Sequence, residues 1–261
     1  MNHTGKILIV APHPDDEVIG AGAILCKLQD PWIVHLTDGA PRDMGDALRS
    51  GFSTREAYAQ ARRREALAAL ELAGVAAHRL KCLGFVDQGL AWNLAALASR
   101  LGDLFSKLRP VMVLTPAYEG GHPDHDSAAF GVHMAREMVS IRIRPMLVEY
   151  ALYHQGLSGL ETGRFLPGRR EPIERPTVGL RDAIRKKRML DCFLTQQDTL
   201  RQLRTVREPF RRAPEYCFLE PPHPGRLFYE QFDWGVTGAQ WRELAQEAAS
   251  VLQLSPAPAA R

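Results

Sequence analysis

Short apolar runs alternate with longer helical stretches through the first two thirds of the chain, and no other feature constrains the fold as strongly. Residues 6–11, 32–37, 78–83, 111–116 and 146–153 have strand length and mostly apolar composition. Residues 17–29, 54–75, 94–108 and 124–139 read as helices, the second opened by Thr54 as an N-cap and closed by Gly74. Strands that alternate with helices build parallel βαβ units. The expected fold is therefore α/β, a Rossmann-like, doubly wound, mostly parallel sheet with helices on both faces.

The rhythm stops after residue 153. Residues 155–176 are rich in Gly, Pro and Arg and are expected to propagate neither helix nor sheet. A helical pattern returns at 180–204, and from 214 aromatics and prolines mix until a Pro/Ala tail at 255–261, expected to be disordered. No linker separates two cores. The chain reads as a single domain, with a core of about 5–155 and a C-terminal extension of about 156–254.

Charge and cysteine usage narrow the partners. Thirty-three basic against thirty acidic residues leave a net charge of +3, too little for a polyanion footprint, so nucleic acid is not an expected partner. The first apolar run breaks at Pro12, and no stretch of about 18 apolar residues occurs, so neither secretion nor integral membrane association is expected. Cys26, Cys82, Cys192 and Cys217 lie far apart and suit a reducing, cytoplasmic setting. The sequence leaves a homo-oligomer open.

The chemistry is concentrated at two strand ends. After the first run comes "APHPDDEVIG", with four ionisable side chains in five positions. Such a cluster repels itself unless a cation holds it. His13 and Asp16, three residues apart at a strand-to-helix turn, can converge on one point, while Asp15 between them points elsewhere. After the fourth run comes "GGHPDHDS", with His122 and His125 again at i, i+3. In the common 3-2-1-4 strand order the first and fourth strands are neighbours, and their carboxyl ends flank the ligand crevice. Two histidines and one carboxylate then match a catalytic zinc site with an open position. They also describe the facial triad of non-haem iron(II) enzymes, which makes iron the other candidate metal.

The pairing of "PHPDDE" with "HPDH", together with "RRREALAAL" and "LGFVDQGL" between them, resembles the PIG-L or LmbE-like zinc-dependent N-deacetylases. The resemblance is close over residues 6–139 and loose beyond. It implies a hydrolase that removes the acetyl group from an acetamido sugar of the N-acetylglucosamine type, or from a glycoconjugate bearing one. By that likeness His13, Asp16 and His125 hold zinc and Asp15 is the general base. His122 stabilises the oxyanion or protonates the leaving amine, and Asp124 orients His122 and favours its protonated form. Arg62 and Asp87 fall where sugar hydroxyls are held. Helical periodicity alone does not choose between Arg62 and Arg63; only the likeness selects Arg62.

Three other functions compete with this one. "GAGA" at 20–23 hints at a dinucleotide enzyme, but its glycines lie inside a helix, and Asp15, Asp16 and Glu17 in the turn would repel pyrophosphate. An iron(II) oxygenase and a non-catalytic metal-binding module are the remaining alternatives. Glu17 reads as a helix-dipole or loop residue; His35, His78 and His133 read as structural or exposed. His154 and His223 are left open as pocket residues. The basic run 185–188 reads as an exposed helix face, and the loops 39–53 and 155–176 and the region around His223 are expected to set specificity.

Overall fold

Strand β1 (Ile7–Ala11) is apolar and buried at every position, as a strand covered on both faces must be. Ile7 and Ile9 enter one apolar cluster, Leu8 and Val10 another, which is the period of two expected of a pleated strand. The computed structural model describes residues 5–168, 170–203 and 207–257. From β1 the chain runs through α1 (Asp16–Leu25), β2 (Trp32–Pro41), α2 (Gly45–Arg49), α3 (Arg55–Leu72), β3 (Leu80–Asp87) and α4 (Leu94–Leu108). It continues through β4 (Met112–Pro116), α5 (Pro123–Met138), β5 (Met146–Tyr150), β6 (Tyr153–Gly156) and β7 (Gly159–Thr162). The extension adds α6 (Leu180–Leu190), α7 (Gln197–Leu203), β8 (Phe210–Arg212) and α8 (Gly238–Leu252).

The main sheet has the order β3-β2-β1-β4-β5-β8, parallel except for β8, which pairs antiparallel with β5. Helices α1, α3 and α6 cover one face through Val18, Ala66, Ala69 and Met189. Helices α4 and α5 cover the other through Leu97, Leu101, Phe105 and Val132. The doubly wound α/β fold expected from the sequence is the fold observed. With β1 and β4 adjacent, their carboxyl ends and the loops that follow lie side by side.

The structure corrects several element assignments. The run 146–153 is two strands, because the chain leaves the sheet after Tyr150 and starts the separate β6–β7 hairpin at Tyr153. Part of 155–176 is therefore sheet after all. The helix expected over 180–204 stops at Leu190, where Thr195 instead gives its amide (3.0 Å) and hydroxyl (2.6 Å) to the Glu65 carboxylate. It resumes as α7, described to Leu203; residue 204 lies outside the described residues.

Lys186, in the basic run read as exposed, is buried, with Nζ 2.8 Å from Glu208 and 2.6 Å from the Ile19 carbonyl. Helix α8 was not anticipated, although Thr237 and Gln240 form its capping box and Trp241 anchors it against Ser127. The tail expected to be disordered is tied at its start by the Phe218 amide donating to Pro256 O at 2.9 Å; residues 258–261 lie outside the described residues. No helix among the described residues is long and apolar enough to cross a membrane.

Candidate metal centre and cleft

The turn between β1 and α1 brings His13 and Asp16 together. Asp16 Oδ2 accepts from the His13 amide at 2.9 Å and lies 3.0 Å from His13 Nδ1. The same oxygen lies 3.4 Å from Nε2 of His125, in the first turn of α5. His125 Nε2 is buried and has no hydrogen-bond partner. An orphaned imidazole nitrogen aimed at a carboxylate, beside a second imidazole, is a cation-shaped gap. Donor separations of 3.0 and 3.4 Å also suit bonds of about 2 Å at tetrahedral angles, which place ligand atoms about 3.3 Å apart.

Proximity of donor atoms defines two overlapping metal-capable groups among the described residues, His13/His122/His125 and His13/Asp87/Asp124, each within 4.8 Å. The second group is better read as support. His13 Nε2 faces Asp87 Oδ1 at 3.0 Å and Asp124 Oδ2 at 3.2 Å, so its ring N–H is spent on carboxylates while Nδ1 faces Asp16. Carboxylate–imidazole pairs of this kind fix the tautomer of a metal ligand.

The electrostatics favour a cation here. Burial opposes charge on His13, but Asp87, Asp124 and Asp16 outweigh it and hold the imidazole well above its ordinary range. A field that retains a proton at that spot attracts a metal ion equally. Burial pushes Asp16 up, yet His125 and His13 hold it well below the usual carboxylate range. Asp87, likewise opposed by burial, is held at about 2 by His13, His122 and Arg62.

Asp15 stands apart from this donor set. Its backbone has φ 139°, a conformation that non-glycine residues rarely adopt. Three elements hold it there. Its amide donates to Glu17 Oε2 at 3.2 Å, and that oxygen lies 3.1 Å from Nε2 of His35 on β2. Its carboxylate takes a 3.1 Å bond from Arg62 Nη2 on α3. Burial raises the Asp15 carboxyl well above its usual range, Arg62 working against that rise and Asp16 with it.

The sequence-derived site residues fare differently. His13, Asp15, Asp16, Asp87, His122 and Arg62 all line one cleft of about 520 Å³. Arg62 is buried, and Arg63 and Arg64 are exposed. The Arg62 guanidinium bonds Asp15, Pro14 O (2.8 Å) and Gly39 O (3.2 Å), which puts it directly behind the acid.

The expected pairing of Asp124 with His122 is not made. Asp124 gives its carboxylate to His13 and to the amides of Gln88 (2.7 Å) and Leu90 (3.1 Å). Its backbone N–H donates to His122 Nδ1 at 3.0 Å, so His122 is an N-cap whose other nitrogen carries the proton. Burial and the neighbouring His13 and His125 hold His122 well below its ordinary range, the reverse of a protonated ring.

His35 is buried and structural, though close behind Asp15. His78 is exposed, and His133 packs against Tyr216 and Phe218. His154 is buried beside Glu119 and Glu161, and neither it nor His223 lines the cleft. The sequence reading missed Tyr153 and the aromatics Phe228, Phe232 and Trp234, all cleft-lining. Trp234 lies 4.5 Å from His122 and stacks on Phe232 at 4.6 Å. Loop 39–53 does line the cleft, through Pro41, Asp43, Asp46 and Arg49.

A fold with paired strand-end loops and this donor set defines the class, and comparison with known proteins supplies the family. The PIG-L profile, described as GlcNAc-PI de-N-acetylase, matches residues 8–135. "Probable N-acetyl-alpha-D-glucosaminyl L-malate deacetylase 2" of Bacillus anthracis is 31% identical over 169 residues, 61% of this chain and 72% of the relative. Diacetylchitobiose deacetylase of Thermococcus kodakarensis is 34% identical over 137 residues, 49% of this chain and 48% of the relative. The structure of N,N'-diacetylchitobiose deacetylase from Pyrococcus horikoshii superposes with a TM-score of 0.57 at 19% identity, covering 80% of this chain and 84% of that one. The chain belongs to the PIG-L family of deacetylases.

Proposed function

We propose that this protein removes the acetyl group from an N-acetylglucosamine-type sugar or its conjugate, using a divalent metal, zinc before iron, held by His13, Asp16 and His125. The observation that carries the reading is the partnerless His125 Nε2, buried and 3.4 Å from Asp16 Oδ2. The family's curated relatives named above act on N-acetylglucosaminyl and chitobiose substrates. A bound ion would supply an acidified water and a polarised acetamide carbonyl.

The remaining work falls to the chain. Asp15 lies in the cleft beside the donor set and takes the proton from water as its oxygen bonds to the carbonyl carbon. When the C–N bond breaks, nitrogen keeps the electron pair and receives that proton from Asp15. His122, with its free N–H, donates to the carbonyl oxygen as charge develops there. Amide plus water thereby gives amine plus acetic acid, which in water become ammonium and acetate. The four free cysteines suit a cytoplasmic setting.

The test is a panel of acetamido sugars and conjugates assayed for free amine, with metal quantified in the same preparation. Asp15→Ala should keep its metal while turnover falls by about three orders of magnitude. Metal loss in that variant would make Asp15 a ligand and reverse its role.

A further inference from the structure

We infer that the phenol hydroxyl of Tyr153 is a catalytic residue of this site, a second hydrogen-bond donor to the acetamide oxygen beside His122. The inference rests on the deacetylase reading above. Tyr153 opens β6, just where the chain leaves the main sheet, and it lines the cleft together with His13, Asp15, Asp16 and His122. Its ring meets the His125 ring edge-on at 5.0 Å and Phe228 at 5.8 Å, so packing on two sides fixes its direction. His125 also meets His122 at 5.2 Å. The His122 and Tyr153 rings thus both pack on His125 and both line the cleft beside the donor set.

The hydroxyl itself is the telling feature. Three buried tyrosines spend theirs on protein, Tyr150 on Val10 O at 2.7 Å, Tyr118 on Glu220 O at 2.9 Å and Tyr216 on Glu149 Oε1 at 2.6 Å, while the buried Tyr229 hydroxyl, which also has no partner, lies outside the cleft lining. Tyr58 accepts from Gln196 at 2.6 Å. Among the described residues the Tyr153 hydroxyl has no such partner, and its ring borders the cleft. A largely enclosed phenol that no protein group satisfies is completed by what enters the cavity.

The approach is also built in. A Cβ on Gly121 would lie 2.0 Å from the Tyr153 carbonyl oxygen, so this glycine is what lets β6 press against the HPDH loop. Neighbouring strand residues point to opposite sides, which sends His154 toward Glu119 and Glu161.

An ordinary phenol keeps its proton at neutral pH. Tyr153 donates a hydrogen bond and transfers nothing: water's oxygen bonds to carbon, the C–N bond breaks, and its proton stays on the phenol throughout. Losing one such donor costs on the order of 10²-fold in kcat.

Tyr153→Phe keeps the ring contacts and deletes only the oxygen. In metal-loaded protein it should lower kcat by about 10- to 100-fold with KM within about threefold, unchanged metal content and unchanged melting temperature. It should also weaken the binding of acetate, read by calorimetry without turnover. A Tyr153→Phe variant with wild-type kcat and wild-type acetate affinity overturns the inference, as does loss confined to Tyr153→Ala, which would make the ring a packing element for His125. If wild-type protein releases no acetate from any acetamide, the deacetylase reading falls, and the acetate titration still decides Tyr153: equal affinity, or none in either protein, overturns it.

Discussion

Glu17 ties the strained backbone of Asp15 to the fold. Its Oε2 is shared between the Asp15 amide and His35, while Oε1 is buried without a partner. Backbone held in a sparsely populated conformation persists only when its surroundings impose it. Glu17→Ala frees Asp15 to relax, and misplacement of a base by about 1 Å costs up to about 10²-fold. We expect kcat to fall 10- to 100-fold with metal content intact. Glu17→Gln, whose carbonyl oxygen can take the place of Oε2 and accept from both the Asp15 amide and His35, should recover much of the rate. Equal kcat in wild type and Glu17→Ala would show that the turn holds itself. At this scale the convergence of His13 on Asp16 was legible, because i, i+3 spacing at a strand end is local geometry. The partners of His13 were not: Asp87 and Asp124 reach it from β3 and α5, and nothing in the spacing of HPDH tells whether Asp124 serves His122 or His13.

At the scale of elements, α1 is defined by what it lacks. A Cβ on Gly20 would lie 2.1 Å from the Tyr150 ring, so the helix reaches the sheet only because that position is bare. This is the close packing that the position of "GAGA" inside the helix predicts. Gly20→Ala gains helix propensity, worth up to about 1 kcal/mol, but must displace a fully buried ring whose hydroxyl is bonded to β1. Overpacking of this kind costs about 1–3 kcal/mol, so the variant should be less stable in urea despite its better helix former. A variant of equal or greater stability would mean that Tyr150 moves freely. The strands and helices of the core were legible because each carries its own apolar pattern over its own length; α4 spans the residues its pattern marks. The run 146–153 was not, since apolar composition continues across the point where the chain leaves the sheet. Helix α8 hid behind its neighbours, its cap readable but its apolar face answering to α4 and α5.

Across the whole molecule, two buried ion pairs fasten the extension to the core. Lys186 on α6 pairs with Glu208 (2.8 Å), whose carboxylate also takes the amides of Ala23 and Ile24 in α1. Arg211 on β8 pairs with Glu149 on β5 at 2.8 Å, with the Tyr216 hydroxyl on the other oxygen. The sequence showed neither, because a buried pair depends on where two distant segments meet. The second makes stability depend on pH. Burial raises the Glu149 carboxyl to about 7 even though Arg211 and Tyr216 work against it, compared with an ordinary 4.5. The fold thus prefers the protonated acid relative to the unfolded chain. The resulting stabilisation is complete below pH 4.5 and is lost as pH rises through 7, with a slope of at most about 1.4 kcal/mol per pH unit. Glu149→Gln removes the titration and leaves everything else that titrates in place. Unfolding free energies from urea at a series of pH values should show wild type losing ground to Glu149→Gln between about pH 5 and 7, with the gap constant beyond about pH 8. A gap independent of pH, or one that moves in wild type's favour as pH rises, would mean that Arg211 governs the site and the carboxylate is charged throughout.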